Sequence, residues 1–201
     1  MKRLLLVAAH GWLGAVRRPP GCVPIELPPY AGKLPELAML AGYAPTAHAV
    51  FVLAGPDFLN LLRHRLLEAA QALGFECVRL VDDQARVHEE AVLGENVRID
   101  PGAVVGAGAE IGANTVIGAN AVIEPGARIG RSSWIGAAAL AGRGSRIGSH
   151  SVLGPGVALG PHVNVGDWCE ISRPGHYAAD MGHGTFIHPL FDSPARIHGA
   201  G

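Results

Sequence analysis

The chain reads as a small α/β domain followed by a three-sided parallel β-helix, and three observations predict this. An aliphatic residue returns every sixth position: Val87, Leu93, Ile99, Val105, Ile111, Ile117, Ile123, Ile129, Ile135, Ala141, Ile147, Leu153, Leu159, Val165 and Ile171. The next residue is most often glycine, as at Gly94, Gly112, Gly130, Gly142 and Gly166, and the fifth position is small, as at Ala103, Thr115, Ser133 and Ser151. Ahead of this run, two apolar segments, Lys2 to Ala9 and Val50 to Ala54, precede a stretch with helical spacing.

A period of six matches neither the 3.6 of an α-helix nor the alternation of an ordinary strand. It does match a coil with corners, in which each hexad is one short strand and one turn. Three hexads close a triangular coil of 18 residues, and the aliphatic of each hexad stacks inward on its counterpart one coil away. Glycine beside the aliphatic is expected to supply the corner through its permissive backbone. The small fifth residue lets a narrow interior close without overpacking. Fifteen hexads make five coils, a column of roughly 24 Å at strand spacing. With no insertion between Val87 and Ile171, any site must use side chains on the prism's edges or the flanking segments.

Lys2 to Ala9 and Val50 to Ala54 read as buried strands. Between them, Pro19, Pro20, Pro24, Pro28, Pro29 and Pro35 predict an irregular stretch without a long helix before Leu34. Phe58, Leu61, Leu62, Leu66, Ala69 and Leu73 place a helix over Asp57 to Leu73, stopped by Gly74. Phe75 to Val81 reads as a strand. The expected organisation is an α/β domain over 1–83, the repeat over 84–175 and an irregular tail over 176–201.

Composition narrows the function classes. A formal net charge of -1 supplies no field for nucleic acid. Cys22, Cys77 and Cys169 are an odd, widely spaced set, read as reduced thiols. The run Leu4 to Ala9 is too short for a membrane span and lacks the pattern of a signal peptide. A soluble, cytoplasmic protein with no membrane partner is expected.

The hexads resemble those of the transferase hexapeptide-repeat superfamily. With the N-terminal strand and its glycine turn, Phe51-Val-Leu-Ala-Gly and Leu73-Gly-Phe-Glu-Cys-Val, nearly the whole chain resembles sugar acyltransferases of the sialic-acid O-acetyltransferase and bacillosamine N-acetyltransferase type. That resemblance implies a left-handed prism, a homotrimer, and acetyl-CoA as acyl donor in a groove between neighbouring prisms near the C-terminal coils. It implies a small, Rossmann-like first domain, whose glycine-rich turn cradles a nucleotide-linked sugar. Here the turn is Ala8-Ala9-His10-Gly11-Trp12, so Gly11 alone matches, and Arg17-Arg18-Pro19-Pro20 replaces the helix that would follow. Arg17 and Arg18 read as a solvated pair or as point charges for phosphate.

Acyl transfer from a thioester needs a base and donors for the tetrahedral oxyanion. The relatives carry a histidine third in a hexad of the form Val-Glu-His-Asp-Cys-Val; the matching hexad here is Ala141-Gly142-Arg143-Gly144-Ser145-Arg146. Arg143 replaces that histidine, and a guanidinium is not a base at neutral pH. It can bind phosphate or carboxylate. His150 and His162, fourth in their hexads and 12 residues apart, are the candidates for a displaced base, on different faces of the prism. Gly142 and Trp168 are candidates at the CoA groove; Trp134 and Trp168 can stack on adenine or line a subunit interface. His176, His183, His188 and His198 raise a metal reading, since imidazole is a common zinc ligand and the γ-class carbonic anhydrases share this fold. No metal is expected, because most of these residues follow the last regular hexad; the tail is expected to cap the open strand edge. The leading function is an acyl-CoA-dependent transferase for an amino sugar, nucleotide sugar or similar polar acceptor. Two other readings stay open, a catalytically degenerate scaffold or ligand-binding protein and a γ-carbonic-anhydrase-like metalloprotein.

Overall fold

A computed structural model describes residues 2–29, 37–57 and 59–196. The chain forms two compact units, Met1–Arg79 and Leu80–Gly201.

In the first unit, strands β1 (Arg3–Ala8), β2 (Val23–Glu26), β3 (His48–Leu53) and β4 (Glu76–Cys77) form one parallel sheet in the order β2-β1-β3-β4. Leu5, Val7, Val50 and Val52 face a core shared with Leu66, Leu67 and Ala70 of α1 (Leu61–Ala72). The irregular stretch expected before β3 contains β2, despite Pro24. Proline removes a donor, and β2 is an edge strand that pairs with β1 alone, so the loss is tolerated. Residues 30–36, with Pro35 and the boundary at Leu34, lie outside the described residues, as does Phe58. The helix begins at Leu61, not Asp57, because Leu59 and Asn60 hold φ of 52° and 64°, which no helical turn accepts.

Phe75 to Val81 divides between the two units. Glu76–Cys77 joins β3, whereas Leu80–Val81 pairs with Arg98–Ile99 as the first strand of the prism. The second unit thus starts four residues before the expected repeat domain. Three parallel sheets follow, each strand pairing with the strand 18 residues on, as Ile117 does with Ile135 and Ile123 with Ala141. The first face runs from Leu80–Val81 through Ile99, Ile117, Ile135, Leu153 and Ile171; the second carries Val87, Val105, Ile123, Ala141 and Leu159; the third carries Leu93, Ile111, Ile129, Ile147 and Val165. The inward aliphatics and the small fifth residues form one continuous core.

The winding continues past Ile171. Gly175–Tyr177 pairs with Val157–Leu159, Met181 bridges Val165, and Thr185–Ile187 pairs with Glu170–Ile171. This sixth coil is shorter, since Val165 and Ile171 pair with residues only 16 further on. Ala195–Arg196 then runs antiparallel to Thr185–Ile187 and covers that edge. The tail is therefore ordered coil plus cap rather than irregular as far as Arg196.

The glycines have a different role from the one expected. Corners turn at the fourth hexad position, where every residue from Asn96 to Trp168 has φ between 51° and 72°. Glycine after the aliphatic is required by close approach: a methyl on Gly112 would lie 2.6 Å from the backbone nitrogen of Arg131 in the next coil. Gly112→Ala must push adjacent coils apart and is expected to cost about 3 kcal/mol in chemical denaturation. Gly108→Asn, with open space at Gly108 and a φ that asparagine already adopts at Asn114, is expected to stay within about 0.5 kcal/mol.

Candidate active site

Outward side chains, the sixth of each hexad, differ from face to face. The second face presents Val104, Val122, Leu140 and Ala158, an apolar row that is exposed or half-buried. The third face presents Glu110, Arg128, Arg146 and Asn164 as the wall of a groove of about 870 Å³. Its floor is Gly94, Gly112, Gly130, Gly148 and Gly166. The glycines that let coils stack thus also leave a trough with no side chains, in the size range of small-molecule sites.

The C-terminal end of the groove is polar. The Asn164 backbone N–H and side-chain amide donate to Asp180 at 2.8 and 3.1 Å, and these bonds hold the Asp180 carboxyl below its usual range. Asp167 accepts the Ser149 N–H at 2.6 Å, and its own N–H donates to His183 Nδ1 at 3.0 Å. That bond makes Nδ1 an acceptor in the neutral ring. The same nitrogen lies 3.2 Å from an Asp167 carboxylate oxygen.

On the corner where the chain enters this face, three coils contribute one residue each. Glu124 accepts the Arg143 N–H at 2.6 Å, and the His162 N–H donates to the Arg143 carbonyl at 2.8 Å. His162 lies over Gly144, where an added methyl would be 2.7 Å from Nδ1. Arg143 and His162 are exposed, and Arg146, three residues after Arg143, lines the groove. The corner joins a carboxylate, a guanidinium and an imidazole at the groove's edge. Glu124 was missed in the sequence, although residues 19 apart share a corner of adjacent coils in an 18-residue winding, and Glu124, Arg143 and His162 stand at that spacing.

The other predicted residues lie elsewhere. His150, a candidate for the displaced base, is on the opposite edge of the groove face, buried and stacked on Trp168, with ring centroids 4.1 Å apart and planes within 5°. It belongs to a polar column in which Asn96 donates to Asn114 at 2.8 Å and Asn114 to Ser132 at 3.0 Å. Trp168 is engaged by His150, and Trp134 is half-buried on the first face. Gly142 is buried, and a methyl there would meet the Leu159 carbonyl at 2.6 Å, so coil packing accounts for it. Gly11 lies in the other unit, after β1. Of the tail histidines, His183 enters the groove, His176 and His188 are apart from it, and His198 lies outside the described residues. Among the described residues no three metal-binding side chains converge, and no helix is long and apolar enough to cross a membrane. Burial raises the Cys169 thiol pKa, which argues against a thiolate acyl carrier.

Known proteins place this geometry. Residues 90–125 match the model of the bacterial transferase hexapeptide (six repeats). No curated protein matches the sequence. The acetyltransferase domain of PglB from Neisseria gonorrhoeae FA1090, in complex with acetyl coenzyme A, superposes with a TM-score of 0.79 at 22% identity, covering 92% of this chain and 96% of that one. PerB from Caulobacter crescentus, in complex with CoA and GDP-perosamine, gives 0.76 at 22% identity over 92% and 93%. The repeat and these folds together imply left-handed winding. Residues 90–125 thus carry the hexapeptide repeat, and the chain shares the fold of these two structures.

Proposed function

We propose that the chain is an acetyl-CoA-dependent transferase that acylates an amino sugar or a similar polar acceptor. The observation that carries this reading is the glycine-floored groove whose edge holds Glu124, Arg143 and His162. Acetyl-CoA lies along the groove, with its thioester toward that corner. The acceptor nitrogen or oxygen attacks the thioester carbonyl and loses a proton to the His162 imidazole. Collapse of the tetrahedral oxyanion breaks the carbon–sulfur bond, and the thiolate leaves as CoA after taking up a proton. Arg143, whose guanidinium has no side-chain partner among the described residues, pairs with a phosphate or carboxylate of donor or acceptor. The apolar row Val104, Val122, Leu140 and Ala158 packs on a neighbouring copy, closing the groove in a homotrimer. Solution in the cytoplasm fits the three reduced thiols.

Incubation with acetyl-CoA and a panel of free and nucleotide-linked amino sugars, followed by mass spectrometry, tests the reading. An acceptor heavier by one acetyl group is the expected outcome. Bound CoA with no acetylated product would instead support the degenerate scaffold, which the arginine at position 143 favours.

A further inference from the structure

The corner between the third and first faces carries a ladder of side chains, one from each coil: Asn96, Asn114, Ser132, His150 and Trp168. From Asn114 on, each donates its backbone N–H to a carbonyl of the coil before, as Trp168 does to Ser149 at 2.9 Å. Side chains meet along the ladder: Asn96 donates to Asn114, Asn114 to Ser132, and His150 stacks on Trp168. In the shorter sixth coil the same backbone bond runs from Gly184 to the Asp167 carbonyl at 2.9 Å, and Gly184 keeps the corner's positive φ, at 65°. Gly184 is therefore the next rung, and it has no side chain. Trp168 is half-buried: His150 covers one face of its indole, and among the described residues no ring covers the other.

The groups around this face suit a nucleotide. Asp167 and His183, the residues preceding Trp168 and Gly184, line the C-terminal end of the groove. The Asp167 N–H donates to His183 Nδ1 at 3.0 Å, so the neutral ring carries its proton on Nε2, which has no partner among the described residues. One Asp167 carboxylate oxygen accepts the Ser149 N–H, and the carboxylate retains capacity for a further donor. An N–H donor beside a carboxylate complements the adenine edge that holds the 6-amino group next to N7. The same edge of guanine presents two acceptors. Arg196 supplies a cation for phosphate: its guanidinium stands 3.5 Å from where a methyl on Gly182 would lie, and it has no ion-pair partner among the described residues.

We propose that the outer face of Trp168 is a stacking platform for an adenine base, which enters as the rung that Gly184 leaves empty. Aromatic side chains hold bases in this way because every base has a flat π-face. That the base is the one carried by acetyl-CoA rests on the transferase reading. The adenine then sits at the C-terminal end of the groove, and the acyl-bearing arm runs from there toward the Arg143 corner.

Titration of the whole chain with adenosine 3′,5′-bisphosphate, read by calorimetry and tryptophan fluorescence, tests the platform without measuring transfer. Saturable binding with quenching is expected, and guanosine 3′,5′-bisphosphate is expected to bind at least about tenfold more weakly. Gly184→Asn fills the rung with a residue that already holds this φ at Asn96 and Asn114, and is expected to weaken the adenine nucleotide at least about tenfold. Trp168→Leu is expected to do the same and to abolish the quenching; should it fail to fold, Gly184→Asn and the wild-type titrations still decide. No saturable binding to the wild type, equal affinity for the two nucleotides, or unchanged affinity in folded Gly184→Asn overturns the proposal. Displacement of the bisphosphate by acetyl-CoA supports the donor's adenine, whereas simultaneous binding of both overturns that assignment and points to a free adenine nucleotide. Failure of the transferase reading would show separately, as absent acetyl product with the bisphosphate still bound.

Discussion

His162→Ala is expected to lower kcat/KM for acetyl transfer by about 10² to 10⁴, the usual contribution of a general base, while acetyl-CoA affinity is retained. Of Glu124, Arg143 and His162, only His162 combines exposure with a side chain suited to exchanging a proton at neutral pH. A guanidinium stays protonated there, and Glu124 already accepts the Arg143 N–H. The imidazole ring rests on a coil corner without a side chain, Gly144, so its removal should leave the aliphatic stack intact. His150→Ala provides the contrast. It removes a buried ring from a stack with Trp168, so its expected effect is on the melting temperature and not selectively on turnover. Steady-state rates and thermal melts of both variants check this. Full turnover by His162→Ala would remove the proton acceptor from the proposed site.

Ile117→Ala carries the second large expectation, a loss of about 2–5 kcal/mol. Ile117 is fully buried at mid-column on the first face, paired with Ile99 below and Ile135 above. Coils support one another through such nearest-neighbour contacts, so a void at mid-column weakens two interfaces at once. Val92→Ala, at a position 62% exposed, is expected to stay within about 0.5 kcal/mol. Urea titrations of the two variants decide the matter; equal losses would mean that the six-residue period does not sort inward from outward positions as described.

That period made the prism legible before any coordinates, because every inward position repeats the same requirement. The meaning of its glycines was less accessible. Close approach and positive φ both favour glycine, and only the backbone separates Gly112, which has the next coil against it, from Gly108, which turns a corner. The sixth coil escaped because its spacing falls to 16 residues, outside a strict period. β2 escaped because Pro24 argues against a central strand and says little about an edge. The candidate corner was legible in principle from three residues 19 apart, whereas the stacking of His150 on Trp168 depends on how the fourth positions of adjacent coils pack.

The most direct test of the central claim is calorimetric titration of the purified protein with acetyl-CoA. The proposed function predicts saturable binding at one equivalent per chain, one groove for each prism. Absence of binding at millimolar acetyl-CoA would contradict it, and would leave the groove of the third face without its proposed ligand.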